Sequence, residues 1–350
     1  MERRTTIYDI AQTAGVSATS VYKALHGKGG ISEETRERIL EIAAESSFTI
    51  NKFAQTLTRR EIKIGVVFEQ ENSPYSRSAL KGVQDEFQQI YDYKVQPIYG
   101  QMEPSVSYER TMRELTALMD AHADGIILDP NMLDYTDAAV KLKNLGIPLL
   151  TLTNDISNPE LRLCSVANNA YVIGSMAAEL LEMICRGGRY AVLTSFRDVS
   201  SQNKAVQGFK GFLLRCGNPF PPGVYEMKND DSTCYNVTDS ILSDIPDLKG
   251  IFISSSFYSG LCRRLSELGL QNKVAVVGVD IDDEIAAYIN AGTVNCTIFQ
   301  NPYWQGRLVV RTMFEHLVLG KTPPLEILVN PRTVYKSNIF AYNNDSINLF

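Results

Sequence analysis

The amino-acid sequence predicts an all-α helix-turn-helix head followed by an α/β body of two doubly wound parallel-sheet lobes. Three observations carry that expectation. Residues 1–60 show three short amphipathic helical patterns punctuated by glycine and serine, with no β-rich run. From residue 62 onward, short β-rich runs alternate with amphipathic stretches of helical length, the pattern of parallel sheets covered by helices. That body holds nearly 290 residues, so two sheets are expected rather than one.

The head is basic and the body acidic. Residues 1–60 hold nine Lys and Arg against seven Asp and Glu, whereas the whole chain of 350 residues has 34 against 40 and a net charge of −6. A wholly basic nucleic-acid coat is thereby excluded. The chain is 44% hydrophobic and 21% charged, and no stretch nears the roughly 20 apolar residues of a membrane span, so a soluble protein with no membrane partner is expected. Met1-Glu2-Arg3-Arg4 leads straight into a polar amphipathic pattern without an apolar export segment, which predicts a cytoplasmic location. Cys164, Cys185, Cys216, Cys234, Cys262 and Cys296 lie far apart, as do His26, His122 and His316. Free thiols are expected, and neither a metal site nor a His-dependent triad.

In the head, Thr6 reads as an N-cap with Asp9 three residues on, and Ile7, Ile10, Ala11 and Ala14 follow at helical spacing. Gly15-Val16-Ser17 supplies a tight turn, and Ser17 caps a second helix that turns Val21 and Leu25 inward. Ser32, followed by Glu33 and Glu34, announces a third helix with Ile39, Leu40 and Ile42 as its apolar positions. If the second helix lies in a major groove, Ala18, Thr19, Tyr22 and Lys23 are placed to reach base edges. A helical hairpin that merely packs or dimerises has the same spacing.

The combination Thr6-Ile7-Tyr8-Asp9-Ile10-Ala11, Ala14-Gly15-Val16-Ser17, Val21, Leu25, Ile31-Ser32-Glu33-Glu34-Thr35-Arg36 and Asn51-x-x-Ala54-x-x-Leu57 resembles the head of the lactose/galactose-repressor (LacI/GalR) family. The resemblance implies a DNA-binding domain over 1–50 and a hinge helix and linker over 51–61. It implies a DNA-facing set of Ile7, Tyr8, Ser17, Ala18, Thr19, Tyr22, Lys23, His26, Asn51, Ala54 and Leu57. Leu57 would wedge between base pairs from the minor groove, an unstacking offset by added contact. The usual proline before Asn51 is Ile50 here, Gln55-Thr56 replaces an arginine-serine pair, and Lys23 stands for the usual arginine. Lysine acts as a point charge rather than a fork on guanine, so the operator sequence does not transfer.

In the body, strands are expected at 63–68, 95–99, 125–128, 148–152, 164–167, 190–194, 250–254 and 274–279, and helices at 76–90, 108–121, 170–186, 204–216, 258–268 and 303–319. No Gly-x-Gly-x-x-Gly follows a strand and no P-loop occurs, so no nucleotide cofactor is expected. Ser73-Pro74-Tyr75, Asn168-Asn169 with Gly174, Gln207-Gly208-Phe209, Val277-Gly278-Val279-Asp280 and Gln300-Asn301-Pro302-Tyr303-Trp304-Gln305-Gly306 resemble type 1 periplasmic sugar-binding proteins, nearer the ribose-binding type. That resemblance implies a body over 62–340, lobes that cross near 154–166 and 280–300, and a tail over 341–350.

It also implies a sugar clamped in the cleft between the lobes. Asp280, at the carboxyl end of a strand, is the leading polar candidate, the rival role being a cap for the next helix. Gln300 is an amide clamp and Tyr75 a stacking ring. Asn154, Asp155 and Ser254 complete the ligand set. Ser254-Ser255 replaces a usual Asn-Asp, and Ala205 beside Lys204 replaces a usual arginine, so Arg162 or Lys204 becomes a candidate to meet an acidic ligand. The expected function is a DNA-binding transcriptional regulator, a repressor in most of the family. It would bind double-stranded operator DNA as a homodimer under control of a small carbohydrate effector. The chain has no leucine-heptad tail after 340, which favours a dimer over a tetramer. The rivals are a plain sugar-binding protein and a carbohydrate-processing enzyme on the same fold.

Overall fold

In the computed structural model, which describes residues 7–25, 29–45, 60–68, 74–100, 108–130 and 135–342, the chain divides between Arg60 and Glu61 into two compact units. The first contains α1 (Ile7–Ala14), α2 (Ala18–Leu25) and α3 (Glu33–Glu45). Gly15 turns the chain at a φ of +68°, where a side chain would be strained, and Val16 N closes the turn by donating to Ala11 O at 3.0 Å. Ser17 and Ser32 cap as their positions predict: Ser17 Oγ accepts from Ser20 N at 3.1 Å and Ser32 Oγ from Thr35 N at 3.2 Å. Ile10, Ala14, Val21, Ala24, Ile39 and Ala43 form a small core. Leu40 departs from its expected inward position and is 43% exposed. Ile39 and Ala43, one helical turn apart, already define the buried stripe, and Leu40 sits about 100° around from Ile39.

The second unit carries two six-stranded sheets. The first sheet is built from β1 (Ile62–Phe68), β2 (Val95–Tyr99), β3 (Gly125–Asp129), β4 (Leu149–Leu152), β5 (Cys164–Ala167) and β11 (Glu326–Leu328), in the order β11-β5-β4-β3-β1-β2 and parallel throughout. The second comprises β6 (Arg189–Thr194), β7 (Gly223–Glu226), β8 (Leu248–Ile253), β9 (Ala275–Val279), β10 (Cys296–Phe299) and β12 (Arg332–Val334), in the order β12-β10-β9-β8-β6-β7, antiparallel only between β10 and β12. Strands such as Gly125–Asp129 and Ala275–Val279 are buried along their whole length, because helices cover both faces.

Those helices are α4 (Pro74–Gln89), α5 (Tyr108–Asp120), α6 (Thr136–Asn144), α7 (Ala170–Cys185), α8 (Ser200–Arg215), α9 (Asp231–Asp244), α10 (Ser259–Glu267), α11 (Asp283–Ala291) and α12 (Pro302–Leu319). Three pairs pack at glycine distance, one in the first lobe and two in the second, where a Cβ at Gly260 of α10 would stand 2.2 Å from Asp231 O of α9. A Cβ at Gly82 of α4 would stand 2.0 Å from Tyr303 O of α12, and one at Gly174 of α7 would stand 1.8 Å from Ala205 O of α8. In the first lobe Glu86 is fully buried at the same seam and accepts from Arg307 Nε at 2.8 Å and Arg311 Nε at 2.7 Å, the pairing that an interior carboxylate requires.

The chain passes between the lobes three times: after β5, after β10, and between β11 and β12. The first passage differs from the expected 154–166. β5 pairs with β4 inside the first sheet, so the crossing comes after Ala167; the loop before β5 returns to the sheet it left. The second falls at the end of the expected 280–300. Strands β7, β10, β11 and β12 and helices α6, α9 and α11 were not anticipated. β11 and β12 have three residues each, and α9 is rich in Ser, Thr, Asp and Asn, which are weak helix formers. The second unit continues to Tyr342, whose ring packs edge-on to Phe299 at 5.1 Å. All six cysteines are free, and among the described residues no helix is long and apolar enough to cross a membrane.

Candidate functional site

In the head, α2 buries Val21 and Ala24 and leaves Ser17, Thr19 and Tyr22 exposed, with Ala18 and Lys23 half-buried. One face of this helix therefore remains outside the core, and it is the face named from sequence. Ile7 and Tyr8 lie in α1, but their side chains are outside the described residues, as are His26, Asn51, Ala54 and Leu57.

In the second unit a cavity of about 120 Å³ opens between the lobes, lined by Tyr75, Asp129, Asn154 and Asn168 from one side and by Ser254, Asp280 and Gln300 among others from the other. It lies at the carboxyl ends of the parallel strands, where open α/β sheets hold ligands. Asp280 follows β9 directly, with a φ of +59° that aspartate tolerates better than most residues. Its carboxylate is 5% exposed and accepts from Ser256 Oγ at 3.1 Å, Gln300 N at 3.2 Å and Gln300 Nε2 at 2.8 Å. Burial pushes its pKa up to about 6 against the pull of those bonds. The rival role belongs to a neighbour: Asp282, not Asp280, caps α11, accepting from Ile285 N at 2.8 Å.

Tyr75 stands between this cavity and an adjoining chamber of about 320 Å³. Burial first, and then the charge of Asp280, hold its phenol far above the ordinary range, so it remains a hydroxyl. That hydroxyl donates to Gln305 Oε1 at 3.0 Å. Gln305 is fully buried, and its Nε2 donates to Asn168 Oδ1 at 2.7 Å and Gln300 O at 2.9 Å. Asn168 Nδ2 in turn donates to Gln300 O at 3.1 Å and Val329 O at 2.6 Å. Asn168, Gln300 and Val329 sit on the first, second and third crossings, so one amide network ties all three passages to a tyrosine of the cleft.

Gln305→Leu keeps the volume and deletes the amide, leaving Asn168 and Tyr75 short of partners at about 1–3 kcal/mol for each buried polar group. The melting temperature should fall by roughly 5 °C or more; an unchanged value in a thermal scan would remove the network from the account.

The remaining nominees part company. Asn154 is 7% exposed and faces the cavity with Oδ1 buried and unpartnered; Ser254 Oγ is likewise buried and without a partner. Asp155 does not join them. It accepts from Arg162 Nε at 2.8 Å and Nη2 at 2.5 Å, from Thr151 Oγ1 at 3.0 Å and from Ile156 N at 3.0 Å. Arg162, 5% exposed, is consumed by that pair and by Leu325 O, so it does not meet a ligand. Lys204 is exposed on α8 while Ala205 beside it lines the cavity.

Sequence reasoning passed over Asp129, which the same strand-end rule would have found at the close of β3, and Asn229, which follows the unanticipated β7. Ser195, Ser255 and Asn229 hydrogen-bond one another, Ser195 to Ser255 at 2.6 Å and Ser255 to Asn229 Oδ1 at 3.3 Å.

A helix-turn-helix head and a cleft walled by two doubly wound lobes define a DNA-binding regulator with a periplasmic-binding-protein body. Residues 6–51 match the family described as bacterial regulatory proteins, lacI family, and residues 64–322 match the periplasmic binding protein domain. The chain belongs to the lacI family of DNA-binding transcription regulators. It is 30% identical over 352 residues to the HTH-type transcriptional regulator KdgR of Bacillus subtilis, covering 96% of this chain and 98% of that one. It is 25% identical over 343 residues to the ribose operon repressor of Haemophilus influenzae, covering 96% and 99%. In fold it is similar to GanP, a glucose-galactose binding protein from Geobacillus stearothermophilus (TM-score 0.72, 20% identity, 80% and 99% covered). It is also similar to a periplasmic solute binding protein from Actinobacillus succinogenes with bound D-allose (TM-score 0.72, 21% identity, 81% and 100% covered).

Proposed function

We propose that the protein is a cytoplasmic homodimeric repressor whose hold on an operator is set by a sugar or sugar derivative in the inter-lobe cleft. One observation carries the reading: polar side chains from both lobes converge on a cavity whose tyrosine is linked, through the Gln305 and Asn168 amides, to all three crossings. The structural neighbours named as binding glucose, galactose and D-allose support a carbohydrate ligand, and the repressor relatives support control of DNA. The function is binding rather than turnover. Two recognition helices, with Ala18, Thr19, Tyr22 and Lys23 outward, read half-sites, and the 51–58 segments enter the central minor groove with Leu57 as the wedge. A ligand that closes the cleft changes how the two first lobes face one another. A coupling of about 1–3 kcal/mol gives a 5–150-fold change in operator affinity.

Binding of purified protein to its own promoter fragment and to random DNA, with and without a stabilising sugar, tests this. Leu57→Ala should weaken promoter binding by about tenfold or more while salt-sensitive binding to random DNA persists. Equal affinity for both DNAs under all conditions, or turnover of the sugar, would overturn the reading.

A further inference from the structure

Resting on the reading of the cleft as the effector site, we infer that its ligand is a polyhydroxyl compound bearing no anionic group. Among the described residues the cavity is lined by no Lys, Arg or His, yet it holds two carboxylates, Asp129 from the first lobe at 6% exposure and Asp280 from the second at 5%. The segments that follow β1, β2 and β3 in the chain, residues 69–73, 101–107 and 131–134, contain no Lys, Arg or His either. The two basic residues that sequence offered to an acid are elsewhere: Arg162 is spent on Asp155, and Lys204 is exposed outside the lining.

The adjoining chamber does contain Arg77 and Lys81 of α4, but Asp282 and Asp283 line it too, and Lys81 Nζ is bonded to Asp85 Oδ2 at 3.0 Å. A carboxylate or phosphate held in the cavity of about 120 Å³ would lose water, meet no cation among the described lining residues and face two acids.

The unpartnered atoms point the same way. Asn154 Oδ1 is an acceptor and Ser254 Oγ, on the opposite lobe, accepts or donates; both belong to residues that line the cavity and neither has a partner in the protein. A hydroxyl supplies both roles, whereas an ionised carboxylate group placed against Asn154 Oδ1 presents acceptors only. Asn154 and Ser254 are thus the specificity-determining pair, one on each lobe, and a ligand that satisfies both must bridge the cleft.

The test uses the full chain and a matched library: neutral pentoses, hexoses and hexitols, each beside its uronate or aldonate and its phosphate. Thermal shift finds the binders and calorimetry measures them. A neutral member should bind, and its acidic counterparts should bind about tenfold or more weaker. Asn154→Ala and Ser254→Ala should each weaken the neutral ligand by a similar factor, folding being checked by circular dichroism. An acid that binds tighter than its neutral parent overturns the exclusion of anions but leaves the effector reading standing. If no member of the library binds, both fall.

Discussion

Asp280→Asn should make the ligand-free protein more stable at pH 7–8 and deaf to its ligand. The carboxyl is buried and its pKa is raised from 3.8 to about 6, so the folded state holds a proton that the unfolded chain has released. Its contribution to stability is therefore fully present below pH 3.8 and is lost as pH rises through about 6. A shift of about two units corresponds to about 3 kcal/mol, an upper bound for the gain once the charge is removed. Asparagine carries no charge to desolvate, suits the positive φ at this position, and keeps an acceptor for Gln300 N. Its Nδ2 gives up the bonds that Oδ2 accepts from Ser256 Oγ and Gln300 Nε2, which holds the gain below that bound. The variant should melt several degrees higher at pH 8, at roughly 2–4 °C per kcal/mol, and the advantage should vanish near pH 4.

The ligand response moves in the opposite direction. An amide offers one acceptor oxygen where the carboxylate offers two, so ligand hydroxyls should be held about tenfold or more weaker. Stability surrendered at a site for the sake of its ligand is a familiar trade. Melting curves of both proteins across pH 4–8, with and without a stabilising sugar, decide the matter. A variant that melts lower than the parent at pH 8 would mean that Asp280 is structural.

Gly174→Ala should be the most damaging single methyl in the second lobe. The new Cβ would stand 1.8 Å from Ala205 O and 2.9 Å from Phe209 N, both backbone atoms that no rotamer change can withdraw. Helices α7 and α8 would have to separate, opening the core in which Phe209 stacks on Phe252 at 5.5 Å and meets Tyr190 edge-on at 6.3 Å. Overpacking of this kind costs about 3 kcal/mol or more, and the melting temperature should fall by roughly 8 °C. Because α8 also presents Gln202 and Ala205 to the cleft, sugar binding should weaken with it.

Gly211→Ala, on the same helix, is the informative comparison. There the methyl meets the ends of two side chains, Tyr171 at 2.5 Å and Arg215 at 3.4 Å, both of which can swing aside, and alanine gains helix propensity. Near-neutral behaviour at 211 with collapse at 174 assigns the damage to backbone approach; equal effects at both sites would refute that assignment.

Much of this was legible in the chain. Unbroken apolar runs marked the strands buried on both faces, the strand-end rule named Asp280, and the resemblance to sugar-binding proteins named Tyr75 and Gln300, which line the same cavity. What escaped was tertiary choice. Asn154 and Asp155 are adjacent and both polar, yet one turns into the cavity and the other is claimed by Arg162, seven residues on. Composition showed a loop before β5 without showing which sheet β5 would join. The half-buried β7 has no apolar run to announce it, and Asn229 went unseen with it.

The triple passage between lobes has a consequence for how the protein is made. The first lobe lacks α12 and β11 until residue 328 has been synthesised, and the second lacks β12 until residue 334. A growing polypeptide on the ribosome therefore carries two unfinished halves until residues 328 and 334 have emerged, although domains ordinarily fold as they emerge. Any message truncated before residue 326 yields neither half whole, so a prematurely terminated product retains the head but no competent sensor.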